Sequence, residues 1–383
     1  STPRAVNANI NHRVAVLNST SCESDLFLHL SCSFHSYVYV PCYDDTSLSS
    51  LEMPQRRQPR RRIAGHRRNL LITLTDEQFK SRLRFTKESV RFILNKIKPK
   101  LTCRIQRRDC ISPMLQLLIA LRFYATGSFQ AVVGDTVNVS KATVCRVVER
   151  VTSAIALLRR QYVRMPTAQE RPSVAARFFY IAGFPRVIGA VDCTHVKINS
   201  PGGSRAELYR NRKGFFSINV QAICDANLQI TSGNARWPGS VHDTTVWNDS
   251  PLAAQFEAGR FGSYLILGDS GYPCLRYLMT PFLNPTAPSQ EAYNRAQIAS
   301  RNTIERCFGV LKRRFPCLHS GMQLKLPKVL KVIVSPAASV CLYTINSITT
   351  ERVFKWLSPM DGVINAKGFS IKYIKVLCKL ANL

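Results

Sequence analysis

The sequence predicts a helical domain carrying a helix-turn-helix, followed by a mixed α/β domain. Three observations support this. Apolar residues recur at helical spacing from Thr75 to about Val163, short apolar or alternating runs replace them from Phe184 onward, and Pro166 and Pro172 mark the change. With 383 residues and a 45% hydrophobic composition, the chain has material for a sizeable core and two domains.

Residues 1–71 read as a disordered N-terminal region ending in a basic arm. The first 50 are rich in Ser, Asn, Cys and Tyr without sustained periodicity, and LFLHL is too short for a membrane segment. PQRRQPRRRIAGHRR then brings Arg56, Arg57, Arg60, Arg61, Arg62, Arg67 and Arg68 without an acid. Such a block repels itself and stays extended, as a nuclear-import or phosphate-binding arm or as a solvated linker.

The helical domain is expected over 72–165. Thr75 is placed to cap a helix with Gln78 at the capping-box position, and Phe79, Leu83 and Phe85 follow as its apolar residues. Thr86 offers a second start before Val90, Ile93 and Leu94. Ser112-Pro113 opens the apolar helix PMLQLLIALRFYATG, which Gly127 stops. GSFQAVVGDTVNVSKATVCRVVERVTSAI then reads as a helix-turn-helix, with Phe129 to Val133 as its short first helix and Ser140 capping the second. Val144, Val147, Val148 and Val151 form the buried stripe, leaving Lys141, Thr143, Arg146 and Arg150 outward. Small, polar and basic residues at the exposed start of such a helix suit a major groove, although a plain helical hairpin has the same pattern.

The α/β domain is expected over 180–320. RVIGAVD is a buried strand, FFSINVQAICD alternates after Gly214, LQITSGNARW continues, and SYLILGD adds a further run. Residues 335–383 are expected to form a divergent C-terminal tail, with Pro336 interrupting a helix.

Lys and Arg number 53 against 23 Asp and Glu, a formal charge of +30. Self-repulsion of that size calls for a polyanionic partner. No 18-residue apolar span, basic amphipathic anchor or secretory signal stands out, so nucleic acid is favoured over membrane. The 13 cysteines are odd in number and scattered, without a C-x-x-C pair. Even the ten-residue spacing of Cys22, Cys32 and Cys42 matches no metal site, so free thiols in a reducing compartment are expected.

Three acids carry the candidate chemistry. Asp192 ends one apolar run, Asp269 ends another between Gly268 and Gly271, and Glu305 lies on the helical stretch RNTIERCFGVLKRRF. Glu305 shares a face with Arg301, Gly309 and Lys312, while Ile304, Phe308 and Leu311 face the core. Two carboxylates at strand ends and one on a facing helix suit a pair of divalent ions about 3.5–4 Å apart, able to activate a water and stabilise a leaving phosphodiester oxygen. Asp192 would bridge the ions, and Asp269 and Glu305 would each complete one. Asp243 either caps a helix beginning near Thr244 or adds a fourth ligand, with the cap favoured on sequence alone. His195 orients substrate or bonds the backbone. Arg212 and Lys213 neutralise phosphate or sit on a solvated hairpin tip. Lys312, Arg313 and Arg314 meet a phosphate backbone or simply answer the helix dipole.

At these residues the chain resembles the PIF/Harbinger transposases and the Harbinger transposase-derived nucleases. The matching pieces are LRFYATGSFQAVVGDTVNVSKATVCRVV, GAVDCTHVKI, NRKGFFSINVQAICD, WPGSVHDTTVW, LILGDSGYPCLRYLMTPF and RNTIERCFGVLKRRFPCL, in family order over roughly residues 72–320. The resemblance implies an RNase H-like catalytic domain with its Asp-Asp-Glu triad on Asp192, Asp269 and Glu305, and a metal role for Asp243. It implies a DNA endonuclease dependent on Mg2+ or Mn2+; the alternative is a DNA-binding protein that keeps the fold and no longer cuts. It also implies a Myb/SANT-like DNA-binding partner. The arm and the helix-turn-helix imply a nuclear protein, with some presence in the cytoplasm admitted. The sequence assigns no oligomeric state.

Overall fold

A computed structural model describes residues 69–102 and 110–347, with side chains described up to Pro336. The basic arm and Cys22, Cys32 and Cys42 lie outside the described residues, as do residues 348–383 of the expected tail. The last residues of the segment expected to be disordered are ordered instead. Asn69 accepts from Leu71 N and caps a short helix, α1 (Leu70–Thr73).

Several of the helices start where side chains satisfy their free N–H groups. Thr75 and Gln78 close the expected capping box on α2 (Asp76–Leu83), and Thr86 caps α3 (Lys87–Leu101). Ser112 accepts from Leu115 N at the start of α4 (Pro113–Thr126), which Gly127 ends at φ 64°. Next come α5 (Gln130–Asp135) and, after a turn containing Asn138 at φ 56°, α6 (Lys141–Tyr162), capped by Ser140. Val144, Val147, Val148 and Val151 are buried, while Lys141 and Arg146 are exposed and Thr143 is half-buried.

After α7 (Arg171–Ala182) comes the sheet: β1 (Val187–Lys197), β2 (Ser217–Cys224) and β3 (Ile230–Pro238). Helices α8 (Asp243–Asn248) and α9 (Pro251–Glu257) lead to β4 (Leu265–Leu267) and β5 (Leu278–Met279). The order is β3-β2-β1-β4-β5, with β1–β2 and β2–β3 antiparallel and β1–β4 and β4–β5 parallel. The long helix α10 (Pro288–Arg314) lies on β1, and α11 (Leu326–Ser347) packs on α6.

Pro336 does not interrupt α11, contrary to the sequence expectation. A proline inside a helix costs about 3 kcal/mol. Here Val329, Val332 and Ile333 are all buried, and each such side chain contributes about 1.5–3 kcal/mol, enough to offset it. Ser335 adds hydrogen bonds to Thr152 O and Lys331 O.

The described residues form one compact unit with two hydrophobic clusters. One joins α2–α6, Phe315 to Leu318 and α11 to Val196, Ile198 and Ile218 at the outer ends of β1 and β2. The other gathers Val187 to Val191 of β1 with Phe178, Trp247, Ile266 and Ile304. Strand β1 thus serves both, and Asp192 sits between its two buried stretches. Among the described residues the cysteines are free thiols, with Cys274 exposed. Among them too, no helix is long and apolar enough to cross a membrane.

Candidate active site

Asp192 does not end its strand. It lies within β1, which continues to Lys197 along β2 (Asp192 pairs with Ala222). What ends near it is β4. The parallel pairing stops at Ala190 with Leu267, and Asp192 and Asp269 each follow two residues later. The apolar run stops at Asp192 in the sequence, yet β2 supplies partners for the residues that follow.

The Asp192 carboxylate is largely buried, with Oδ1 accepting from Cys193 N at 2.7 Å and Oδ2 lying 3.4 Å from Arg301 Nη1. Burial first, then repulsion from Asp269 and Asp243, raises its pKa to about 6, against the pull of the Cys193 amide and Arg301. The Asp269 turn is fixed by Gly271, whose N–H donates to Asp269 Oδ1 at 3.0 Å.

Glu305 projects from α10, as expected. Ile304, Cys307 and Phe308 bury the opposite face against the sheet, and the Glu305 side chain is 54% exposed. Space beside Gly309, one turn on, is open. Arg301 Nη2 donates to Glu305 Oε1 at 2.5 Å, so one guanidinium joins Asp192 and Glu305. Gln297, fully buried, ties α10 to the end of β4 by donating to Gly268 O at 2.7 Å and Met279 O at 3.1 Å.

Asp243 is the first residue of α8 and makes no cap, since the N-cap position falls on His242. Its Oδ1 instead accepts from Asn219 Nδ2 at 2.8 Å, and the same amide donates to Val241 O at 2.9 Å. His195 is half-buried, its Nδ1 3.1 Å from Ser217 Oγ, which also accepts from Asn211. Burial above all lowers its pKa, against the pull of Asp243.

The expected phosphate contacts divide. Lys141, Arg146, Arg212, Lys213 and Arg313 are exposed. Arg212 donates to His242 Nδ1 at 2.7 Å. Lys312 points inward to Thr194 Oγ1 (2.7 Å) and His195 O (3.0 Å), and burial lowers its pKa. Arg314 donates to Arg84 O at 2.7 Å and lies over the Phe85 ring. Among the described residues no three His, Cys, Asp or Glu side chains are gathered closely enough to hold a metal ion as they stand.

A family model described as "DDE superfamily endonuclease" matches residues 191–341, a span holding all four acids and reaching beyond Pro336. The human protein "Putative nuclease HARBI1" is 35% identical over 307 residues, covering 78% of this chain and 86% of the relative. The chain belongs to the Harbinger transposase-derived nuclease family. Its Bos taurus relative of the same name is 35% identical over 309 residues, with the same coverage of each chain. More distantly, the Arabidopsis thaliana "Protein ALP1-like" is 25% identical over 236 residues, covering 57% of this chain and 58% of the plant protein. No solved structure matches.

Sequence reasoning missed Gln297, Asn219 and the reach of Arg301 to Asp192. For the first two a signal existed, because amides at buried positions of a helix or strand must find partners. The Arg301–Asp192 contact spans 109 residues and leaves no local trace.

Proposed function

We propose that this chain is a divalent-metal-dependent DNA endonuclease, with Asp192, Asp269 and Glu305 as metal ligands and Asp243 as a further acid of the site. The carrying observation is that Asp192, within β1, and Asp269, just past the end of β4, each follow the last parallel pair by two residues, with the Glu305 helix packed on β1. The donor set fits the ion: carboxylate oxygens suit Mg2+ or Mn2+, and burial together with repulsion from Asp269 and Asp243 makes the Asp192 charge costly, a cost that a cation would relieve. When bound, such ions supply an activated water and stabilise the leaving oxygen of a phosphodiester.

The chain's own residues do the rest. Gln297 and Lys312 hold α10 over the sheet so that Glu305 faces Asp192. Asn219 orients Asp243. The exposed Arg212, Lys213 and Arg313 meet DNA phosphates near the site, while Lys141, Thr143 and Arg146 at the start of α6 enter a major groove as a recognition helix. Few base contacts are available there, each worth about 1–3 kcal/mol. That is thin against the roughly 4–10 kcal/mol separating specific from non-specific binding, so a Myb/SANT-like partner in the nucleus supplies the remaining sequence preference.

Plasmid nicking with and without Mn2+ tests the activity. Wild-type protein should nick only with metal, and Asp192→Asn should fold and not nick. Equal nicking by that variant overturns the reading. One observation favours the alternative, a non-cutting DNA-binding protein: Arg301 already pairs with two of the acids. Folded, DNA-binding wild-type protein that fails to nick would establish it.

A further inference from the structure

The Asp192–Arg301–Glu305 bridge has a bearing on how a metal enters. The Arg301 side chain is only 14% exposed, and its two terminal nitrogens serve two different carboxylates, 3.4 Å from one and 2.5 Å from the other. Helix stability does not require this pairing. An arginine four residues before a glutamate is the less favourable order along a helix, and exposed pairs contribute little. Asp192 is the costly partner, since it is largely buried and lies beside Asp269 and Asp243. A divalent ion held by Asp192 and Glu305 would need the space between them, where the guanidinium now lies.

We propose that Arg301 is an internal counterion that competes with the metal: it must leave Glu305 before Asp192 and Glu305 can share a divalent ion. This rests on the metal-site reading above. The two contacts differ in exposure, and that difference sets the order of release. Glu305 is half exposed and can exchange Arg301 for water, whereas the hold on Asp192 is shielded. An arginine so released carries five donors suited to a phosphate oxygen, so DNA offers it a new partner beside the site. Metal and DNA would then favour each other's binding, because each takes one side of the Arg301–carboxylate pairing that has to break.

The test is Mn2+ binding to the full chain, followed by calorimetry and by the loss of the free-ion paramagnetic signal, without DNA. Arg301→Gln should bind Mn2+ about tenfold or more tightly than wild type, within the usual coupling range of about 5–150-fold. Arg301→Lys keeps the charge but cannot span both carboxylates, so its affinity should rise toward that of the Gln variant. In the wild-type protein, the Arg301 side-chain N–H resonance should shift on Mg2+ addition with the midpoint of metal binding. Unchanged affinity in Arg301→Gln, or a Lys variant indistinguishable from wild type, overturns the competition. Should either variant fail to fold, an unmoved wild-type resonance at saturating Mg2+ overturns it instead. Mn2+ binding unimpaired by Asp192→Asn is a separate outcome, which removes the metal-site reading itself.

Discussion

Asp192, within β1, and Asp269, just past the end of the parallel neighbour β4, each stand two residues beyond the last paired residues, Ala190 and Leu267. Parallel neighbours lie about 4.8 Å apart, so two acids in register there repel each other unless something positive is near. Burial of Asp192, with that repulsion added to it, sets the first expectation.

Without metal, Asp192 should make the protein less stable as pH rises. Its pKa lies at about 6 in the folded protein against an ordinary 3.8. Between those values the folded state binds more protons than the unfolded one, so stability falls from about pH 4 to pH 6, by up to ~3 kcal/mol. Urea titrations in chelator should show this slope in the wild type and its loss in Asp192→Asn. A slope unchanged by the substitution would show that another group is responsible.

Lys312 and Arg313 are adjacent in sequence and should behave as opposites. Lys312→Met removes the donor to Thr194 and His195 and should cost about 1–3 kcal/mol of stability. Arg313→Gln should leave the unfolding midpoint within about 0.5 kcal/mol and weaken DNA binding instead. Denaturant titration and DNA binding on the same two variants would check the contrast.

The close approach of α5 to the turn before α6 should not tolerate a side chain at Gly134. A Cβ there falls on the Val139 carbonyl oxygen, a backbone atom that cannot step aside. Gly134→Ala should therefore destabilise the protein by about 1–3 kcal/mol, visible as a lower thermal midpoint.

If α6 enters a groove, Lys141→Ala and Arg146→Ala should each lower the slope of log affinity against log salt by about one. Unaltered slopes in both would place the phosphate contacts elsewhere on the molecule.

Much of this was legible before the structure because the signals were local. Caps at Thr75, Thr86, Ser112 and Ser140, and the valine stripe of α6, depend on residues within a turn of each other. The apolar run into Asp269 marked β4 for the same reason. The rest depended on distant partners. Asp192 looked like a strand end because only β2, some thirty residues on, makes its surroundings extended. Lys312 looked like a surface cation because its acceptors lie more than a hundred residues earlier. Pro336 looked like a breaker because the buried face of α11 is completed by α6.

The sharing of β1 between two cores limits how this protein can be divided. A fragment beginning near Arg171 would retain all four acids yet strip the helical layer from Val196, Ile198 and Ile218. Those side chains would meet water on the same strand that carries Asp192, inviting aggregation. The residues from β1 onward are therefore not a detachable cassette. The helices before them travel with them, or the strand that carries Asp192 loses its cover.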